Sequence, residues 1–318
     1  MTQDTSIEFT NKTENVFVID GPSQNRGWYC EKVDSGCKHC YAERLNMGQW
    51  GNGKEFHGKK NRPVFRFKGE EIKAWATARK PRRNFVNDMT DTFGEFISED
   101  FVHWLLSGAA NAPKQFTYLF TKRIERAQIM IDNWLKAPER QEVLMSSVGS
   151  IRLPDNIIIV TSVSDQESAE KRIPILKTIR GRTGISFEPI VDRIDWKAPK
   201  LAHALDYPID WVTYGGESGD EARPVNVNAV IDTFEMCAEK DIPQFFKQWG
   251  ESPPIGFDTG TTQTGFDLKT MHVSPYHDVE GEYMQRRVGR KEAGSMLDGI
   301  HQHACPYWEP MGHGLTVV

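Results

Sequence analysis

The feature that most limits what this chain can fold into is an alternation. Short β-rich runs recur at residues 16–19, 84–87, 116–120, 157–160, 185–187, 211–214 and 244–246, and stretches of helical periodicity separate most of them. Ile124, Ala127, Ile131 and Trp134 fall on one helical face, as do Val227, Val230, Ile231, Phe234 and Cys237. Ser164 and Glu167 stand at capping-box spacing, which predicts a helix starting there. Apolar strands alternating with helices imply a parallel sheet, and six or seven such units predict an α/β fold: a partial or complete parallel (βα) barrel.

In that architecture the chemistry lies at the C-terminal strand ends. Those ends carry Asn87, Asp88 and Asp91; Thr121, Lys122 and Arg123; Ser162, Ser164 and Asp165; Glu188; Glu217 and Ser218; and Lys247 and Gln248. A purely structural protein has little reason to gather so many functional groups on one rim. After Glu251 the texture changes to Gly, Pro, Thr and Asp, followed by a mixed helical segment from Glu282 to Leu297 and an aromatic, His-containing tail. The expected organisation is a barrel over residues 1–251, with a cysteine loop at 28–45 and a basic insertion at 57–83, then a C-terminal extension over 252–318 that covers the barrel or widens its substrate surface.

A composition of 38% hydrophobic and 26% charged residues excludes a disordered or collagen-like chain. No apolar run approaches the roughly 20 residues of a membrane span, and the N-terminus lacks the basic flank and apolar core of a signal peptide. The expected location is the cytoplasm, where cysteines serve metal or redox chemistry rather than disulfides. The net charge of −5 conceals a basic segment: between His57 and Arg83 ten Lys and Arg face only Glu70 and Glu71, with Phe65, Phe67 and Trp75 interleaved. Cations for phosphates and rings for bases fit a nucleic-acid or nucleotide surface. A solvated face whose Lys and Arg stems lie over apolar neighbours is the plainer account.

Cys30, Cys37 and Cys40 form a C-x6-C-x2-C pattern in the loop after the first strand. Two soft-metal solutions fit: a tetrahedral zinc with a fourth ligand such as His39 or His57, or an iron–sulfur cluster. Structural zinc more often uses two close pairs, and only one C-x2-C pair is present. Three cysteines on a four-iron cluster leave one iron open, able to chelate the amino and carboxylate groups of S-adenosylmethionine. Cys237 sits on an apolar helix face and reads as a buried small hydrophobe. Cys305, between His301, His303 and the tail, reads as a surface residue or as part of a second metal site.

Three cysteines after the first strand of a βα barrel resemble the radical S-adenosylmethionine superfamily. The usual spacing there is C-x3-C-x2-C with an aromatic residue before the last cysteine, whereas here the first gap is six and His39 holds the aromatic position. More closely, the chain resembles a phage-associated three-cysteine family regarded as radical-SAM-like. The matching segments are Gly36-Cys37-Lys38-His39-Cys40-Tyr41-Ala42-Glu43, Phe85-Val86-Asn87-Asp88-Met89-Thr90-Asp91, Leu119-Phe120-Thr121-Lys122-Arg123, Ser186-Phe187-Glu188-Pro189, Gly215-Gly216-Glu217-Ser218-Gly219 and Phe246-Lys247-Gln248-Trp249-Gly250.

The resemblance implies a 4Fe-4S cluster on Cys30, Cys37 and Cys40, S-adenosylmethionine as cofactor, a 5′-deoxyadenosyl radical, and an electron donor such as flavodoxin or ferredoxin. It implies cofactor contacts from Asn87, Asp88 and Asp91 to the methionine amino group, from Ser162 and Ser164 to the ribose, and from Glu188. Gly215-Gly216-Glu217 spells the superfamily's methionine-binding tripeptide but follows the sixth strand, so that role is not carried over and Glu217 is expected to face substrate. Lys122, Arg123, Arg223 and Lys247 suit an anionic substrate, and Glu217, Lys122 and Lys247 are the catalytic candidates. The expected substrate is a nucleotide, DNA base or modified base of phage-type DNA metabolism, in the host cytoplasm if phage-encoded, and the reaction an isomerisation, a lyase step or C–C bond formation. Two other readings stand beside it: a zinc-stabilised nucleic-acid-binding protein without catalysis, and a barrel hydrolase using Asp88, Asp91 and Glu188 with a hard divalent metal.

Overall fold

The computed structural model describes residues 3–5, 7–20, 27–49, 51–56, 62–255, 275–277, 283–297 and 299–306. Its elements begin with β1 (Gln3–Asp4), β2 (Lys12–Glu14), β3 (Phe17–Ile19), α1 (Tyr41–Met47), β4 (Phe65–Phe67), α2 (Gly69–Ala76), β5 (Arg82–Val86) and α3 (Glu99–Ala110). They continue through β6 (Gln115–Thr121), α4 (Ile124–Leu135), α5 (Pro138–Val148), β7 (Ile157–Val163), α6 (Gln166–Leu176), β8 (Arg182–Phe187), α7 (Pro199–Leu205), β9 (Trp211–Tyr214), α8 (Val227–Glu239) and β10 (Gln244–Phe246). Strands β2, β5, β6, β7, β8, β9 and β10 lie side by side in that order, all parallel, and β1 adds antiparallel to β2. They form a curled half-barrel, the partial parallel (βα) barrel that the alternation predicts.

Side-chain alternation splits the core in two. Ile157, Ile159 and Val163 of β7 join the large apolar layer beneath the helices. Ile158 and Val160 face the concave side with Phe116, Tyr118, Trp211 and Phe245. A half-barrel leaves that concave side open, and Phe9, from the loop before β2, fills it. Its ring lies between 5.2 and 6.0 Å from the rings of Phe85, Tyr118, Phe120, Trp211 and Phe245.

The unpaired edge of β10 is covered by the C-terminal stretch. Phe246 N donates to Gln302 O at 2.7 Å, Ala304 N to Gln244 O at 2.9 Å, and Trp211 Nε1 to Ala304 O at 2.8 Å. The His303 ring stacks on Phe245 with centroids 4.5 Å apart. A bare strand edge invites pairing with other chains, and this tail occupies it.

Several local expectations are corrected. Residues 17–19 are not the first barrel strand: β3 pairs antiparallel with β4 outside the main sheet, and Lys12–Glu14 takes the barrel position. Polar Lys12 and Glu14 hide that strand from hydrophobic reading; Glu14 is buried because Trp75 Nε1 donates to it and Lys12 pairs with it. The capping box lies one residue later, with Asp165 accepting from Ser168 N and Ser168 Oγ accepting from Asp165 N. The helix expected over 282–297 reduces to Arg290–Ala293, flanked by the short strands Met284–Arg286 and Met296–Leu297, because Gly289 and Gly294 take positive φ at both its ends.

Phe9→Ala, which empties the concave core, should lower unfolding free energy by about 3 to 5 kcal/mol. Ile129→Ala, at a site 55% exposed on α4, should stay within about 0.5 kcal/mol of the parent in the same urea titration.

Candidate functional site

The strand tips of the parallel sheet meet one loop, residues 28–45, which carries the three cysteines. A 3-10 turn, Ser35–Cys37, and the short helix α1 shape it. The loop reaches three rims. Lys122 Nζ, at the tip of β6, donates to Asp34 Oδ1 at 2.6 Å; Ser35 Oγ donates to Asp165 Oδ2, past β7, at 2.6 Å; Arg44 Nη1 donates to Ser218 O, past β9, at 3.3 Å. Burial opposes ionisation of Asp34, but Lys122 and Arg172 overcome it and hold its carboxyl below the usual carboxylate range.

The thiols are free and half-buried. Cys30 and Cys40 pack with Trp28, Ala42, Phe56 and Met89. Burial pushes the Cys30 thiol up to about 12, helped by the nearby Asp91 charge and opposed by Arg123 and the Asp91 amide. Burial also raises Cys40, against hydrogen bonds from the Glu43 and Ala42 amides. Cys40 interacts electrostatically with each of the other two sulfurs. Among the described residues, no three Cys, His, Asp or Glu side chains are gathered closely enough to hold a single ion. His39, offered above as a zinc ligand, instead lies 3.2 Å from Glu221 Oε2, and His57 lies outside the described residues. Three thiols are the soft donor set that an iron–sulfur cluster takes, and a zinc takes such a set with a fourth ligand. Cys237 is fully buried on α8, as expected of a small hydrophobe; Cys305 packs near Phe9, with its neighbour His303 stacked on Phe245.

The other candidate residues divide into two groups. In the first, polar atoms are engaged in building the rim. Asn87, at φ 56°, accepts from Val16 N at 2.9 Å and Phe17 N at 3.3 Å and donates to Thr92. Asp91 accepts from Phe93 N, Thr121 Oγ1, Lys122 N and Arg123 Nη1. Glu217 is buried in a bidentate pair with Arg223, 2.7 and 2.9 Å, which holds its carboxyl low despite burial. Lys122 holds Asp34, and Arg123 is enclosed by Asp91, Glu95 and Glu31 O.

The second group stands at the strand tips with fewer partners. Glu188, at the tip of β8, accepts from Thr213 Oγ1 at 2.7 Å and from Lys247 Nζ at 2.6 Å, joining three strand tips. Ser162 follows Ile158 and Val160 on the inner face of β7. Ser164 is fully buried, and its Oγ has no hydrogen-bond partner among the described residues. Asp88 accepts from Asn15 Nδ2 at 2.7 Å, and burial raises its carboxyl to about 6 against that bond. Sequence reasoning offers no expectation for Asp34, Arg172, Asn15 or Thr213. Only Asp34 carries a signal, as a carboxylate inside a metal-loop gap.

The basic segment departs from its expected form. Trp75 is buried, and Phe65 and Phe67 pack against the core, so its rings serve the fold. Arg62 pairs bidentately with Glu31, and Lys68 and Lys73 reach Glu71 and Glu70; Arg66 stays 60% exposed.

Fold and site together define a parallel half-barrel α/β protein with a three-cysteine loop seated over its strand tips. The chain belongs to the family described as "Protein of unknown function (DUF5131)", whose model matches residues 4–306. No curated protein matches it. Structures of spore photoproduct lyase are similar over 92% of this chain and 72% of theirs: a cysteine-to-serine mutant (12% identity, TM-score 0.44), a complex with dinucleoside spore photoproduct (11%, 0.41), and a double mutant with bound AdoMet and dinucleoside spore photoproduct (12%, 0.43). No helix among the described residues is long and apolar enough to cross a membrane.

Because the Asp88 carboxyl is raised in the fold, the folded protein binds its proton more tightly than the unfolded chain does, and stability falls as pH rises from about 4 through 6. Asp88→Asn removes that loss. Urea unfolding of the metal-free protein should show the variant gaining on the parent between pH 4 and 7; a constant difference across that range would remove the assigned titration.

Proposed function

We propose that this protein is a radical S-adenosylmethionine enzyme whose Cys30, Cys37 and Cys40 hold a 4Fe-4S cluster. The observation that carries the reading is a set of three half-buried thiols on one loop seated over the strand tips of a parallel half-barrel. When bound, such a cluster supplies one-electron reduction of the S-adenosylmethionine sulfonium, with the electron drawn from a donor such as flavodoxin or ferredoxin.

The chain's own residues then bind and orient. Asp88, ionised above pH 6, accepts from the cofactor's ammonium, supported behind by Asn87 and Asp91, which shape the turn and anchor it to β6. The Ser162 and Ser164 hydroxyls meet the ribose; the unsatisfied Ser164 Oγ is a group a ligand would complete. Glu188, fixed by Thr213, sets the cofactor's orientation. Lys247 donates one N–H to Glu188 and keeps others for an anionic substrate group. Lys122 and Glu217 contribute through the loops they hold. The aromatic concave face keeps water from the reacting atoms.

The substrate class proposed is a nucleotide, DNA base or modified base of phage-type DNA metabolism, supported by the local excess of cations over residues 57–83. Isomerisation, lyase chemistry and C–C bond formation are all open to this site. Residues 1–251 carry the chemistry, residues 252–318 form a C-terminal extension, and the protein works in the cytoplasm.

Anaerobic reconstitution followed by iron and sulfide quantitation tests this. Brown protein that releases 5′-deoxyadenosine from S-adenosylmethionine under dithionite is the expected outcome, with iron lost in Cys37→Ala and far-ultraviolet circular dichroism retained. Stoichiometric zinc without iron would overturn it.

A further inference from the structure

The residues between Cys30 and Cys37 are Glu31-Lys32-Val33-Asp34-Ser35-Gly36, a gap twice the three residues usual in the superfamily the chain resembles. The structure gives the last three of them a common task. Asp34 is 10% exposed, and each of its oxygens meets a cation: Oδ1 accepts from Lys122 Nζ at 2.6 Å, and Oδ2 from Arg172 Nη1 at 2.6 Å. Arg172 is itself 6% exposed on α6, and its Nη1 also donates to Ser162 O at 2.7 Å, tying Asp34 to the backbone of β7. Ser35 Oγ reaches Asp165 Oδ2 at 2.6 Å, and Arg223 Nη2 reaches Ser35 O at 3.3 Å. Gly36 lies so close that a Cβ would stand 2.8 Å from Lys122 Nζ and 2.9 Å from Ser164 Oγ. The next residue is Cys37, whose Sγ lies 3.5 Å from Asp34 Oδ1.

We propose that Asp34 is a positioning residue: gripped by Lys122 and Arg172, it bolts the cysteine loop to the tips of β6 and β7 and fixes where Cys37 stands. The bolt is the second half of the gap between the first two cysteines, Asp34-Ser35-Gly36. Lys122 acts on the loop, not on substrate. The significance of Cys37's position rests on the cluster reading above; the contacts that fix it do not. A carboxylate held by two largely buried cations is costly to disturb, because removing one partner leaves the others desolvated and unpaired. Gly36→Ala is strained by the same geometry, since a methyl group would press on Ser164 Cβ at 2.9 Å and displace Lys122 Nζ.

The test uses metal-free full-length protein and iodoacetamide, with Cys37 labelling read by peptide mass spectrometry against buried Cys237 as the internal report of an intact fold. Asp34→Asn, which keeps shape and removes charge, should speed Cys37 labelling about tenfold, the change produced by roughly 1.4 kcal/mol of lost closure. Lys122→Met should do the same. Loss of that cation alone makes a neighbouring thiol less reactive, so a rise in both variants reports loosening and not charge. The double variant should label no faster than either single one, because both break one contact. After reconstitution, the electron paramagnetic resonance signal of the reduced cluster should broaden or shift in both variants. Unchanged Cys37 labelling, or two effects that multiply in the double variant, would overturn the proposal. If the parent protein takes up no iron, the functional reading fails while the labelling cycle still decides the role of Asp34.

Discussion

A guanidinium buried at the tip of β6 organises the upper rim of the half-barrel. Arg123 is 6% exposed and donates to Asp91 at 3.0 Å, to Glu95 at 2.7 Å and to the Glu31 carbonyl at 3.1 Å. A charge placed there without partners would be expelled or would unfold the rim. With them, it joins the loop after β5, the tip of β6 and the first residue of the cysteine gap. Burial disfavours its charged form, and Asp91, Cys30 and Glu95 together outweigh that effect. The same cation lies close enough to Cys30 to lower its thiol against burial. Substrate binding, the role its residue type invites, is disfavoured by geometry: it is 6% exposed and each of its three nitrogens already has an acceptor.

That arrangement repeats around the rim with different residues. Lys122 and Arg172 close on Asp34, Arg223 closes on Glu217, and Arg62 closes on Glu31. Each pair fixes a segment that enters or leaves the mouth, while the groups facing the mouth carry few partners. Asp88 has a single side-chain partner, Asn15, and Ser164 Oγ has none among the described residues. Lys247 and Glu188 have each other, and Glu188 also has Thr213. Saturated polar groups make scaffold, and undersaturated ones make sites. The rim separates the two within a few ångströms.

The alternation of strands and helices was legible because apolar period and turn residues agree over most of the sheet. It failed at β2, where Lys12 and Glu14 sit in a barrel strand and their own ion pair, with the distant partner Trp75, makes that burial tolerable. Position along a strand was also legible, which is why Asn87, Asp91, Lys122, Ser162, Glu188, Glu217 and Lys247 all lie at strand tips or in the loops just beyond. Direction was not. Whether a carboxylate such as Glu217 points into the mouth or into a buried pair with Arg223 depends on a loop six residues long, and residue type says nothing about which contact wins. The rings of the basic segment show the same limit: Phe65, Phe67 and Trp75 alternate with cations as a binding surface would, but burial of large rings is worth more than their exposure, and they turn inward.

The C-terminal extension follows from leaving a barrel half-closed. The tail from 299 to 306 covers the edge of β10, and the preceding stretch reaches the mouth. Arg287 Nη2 donates to the carbonyls of Gly219 and Asp220 at 2.8 and 2.9 Å, Glu251 Oε1 accepts from Gly219 N at 2.8 Å, and Val288 N donates to Glu251 O at 2.8 Å. Gly219, at φ 112°, lies beside Arg44 of α1, the helix that follows Cys40. The chain of contacts therefore runs from the extension through the loop after β9 to the cysteine loop. Sheet edge and cysteine loop are two ends of one problem, and the extension meets both.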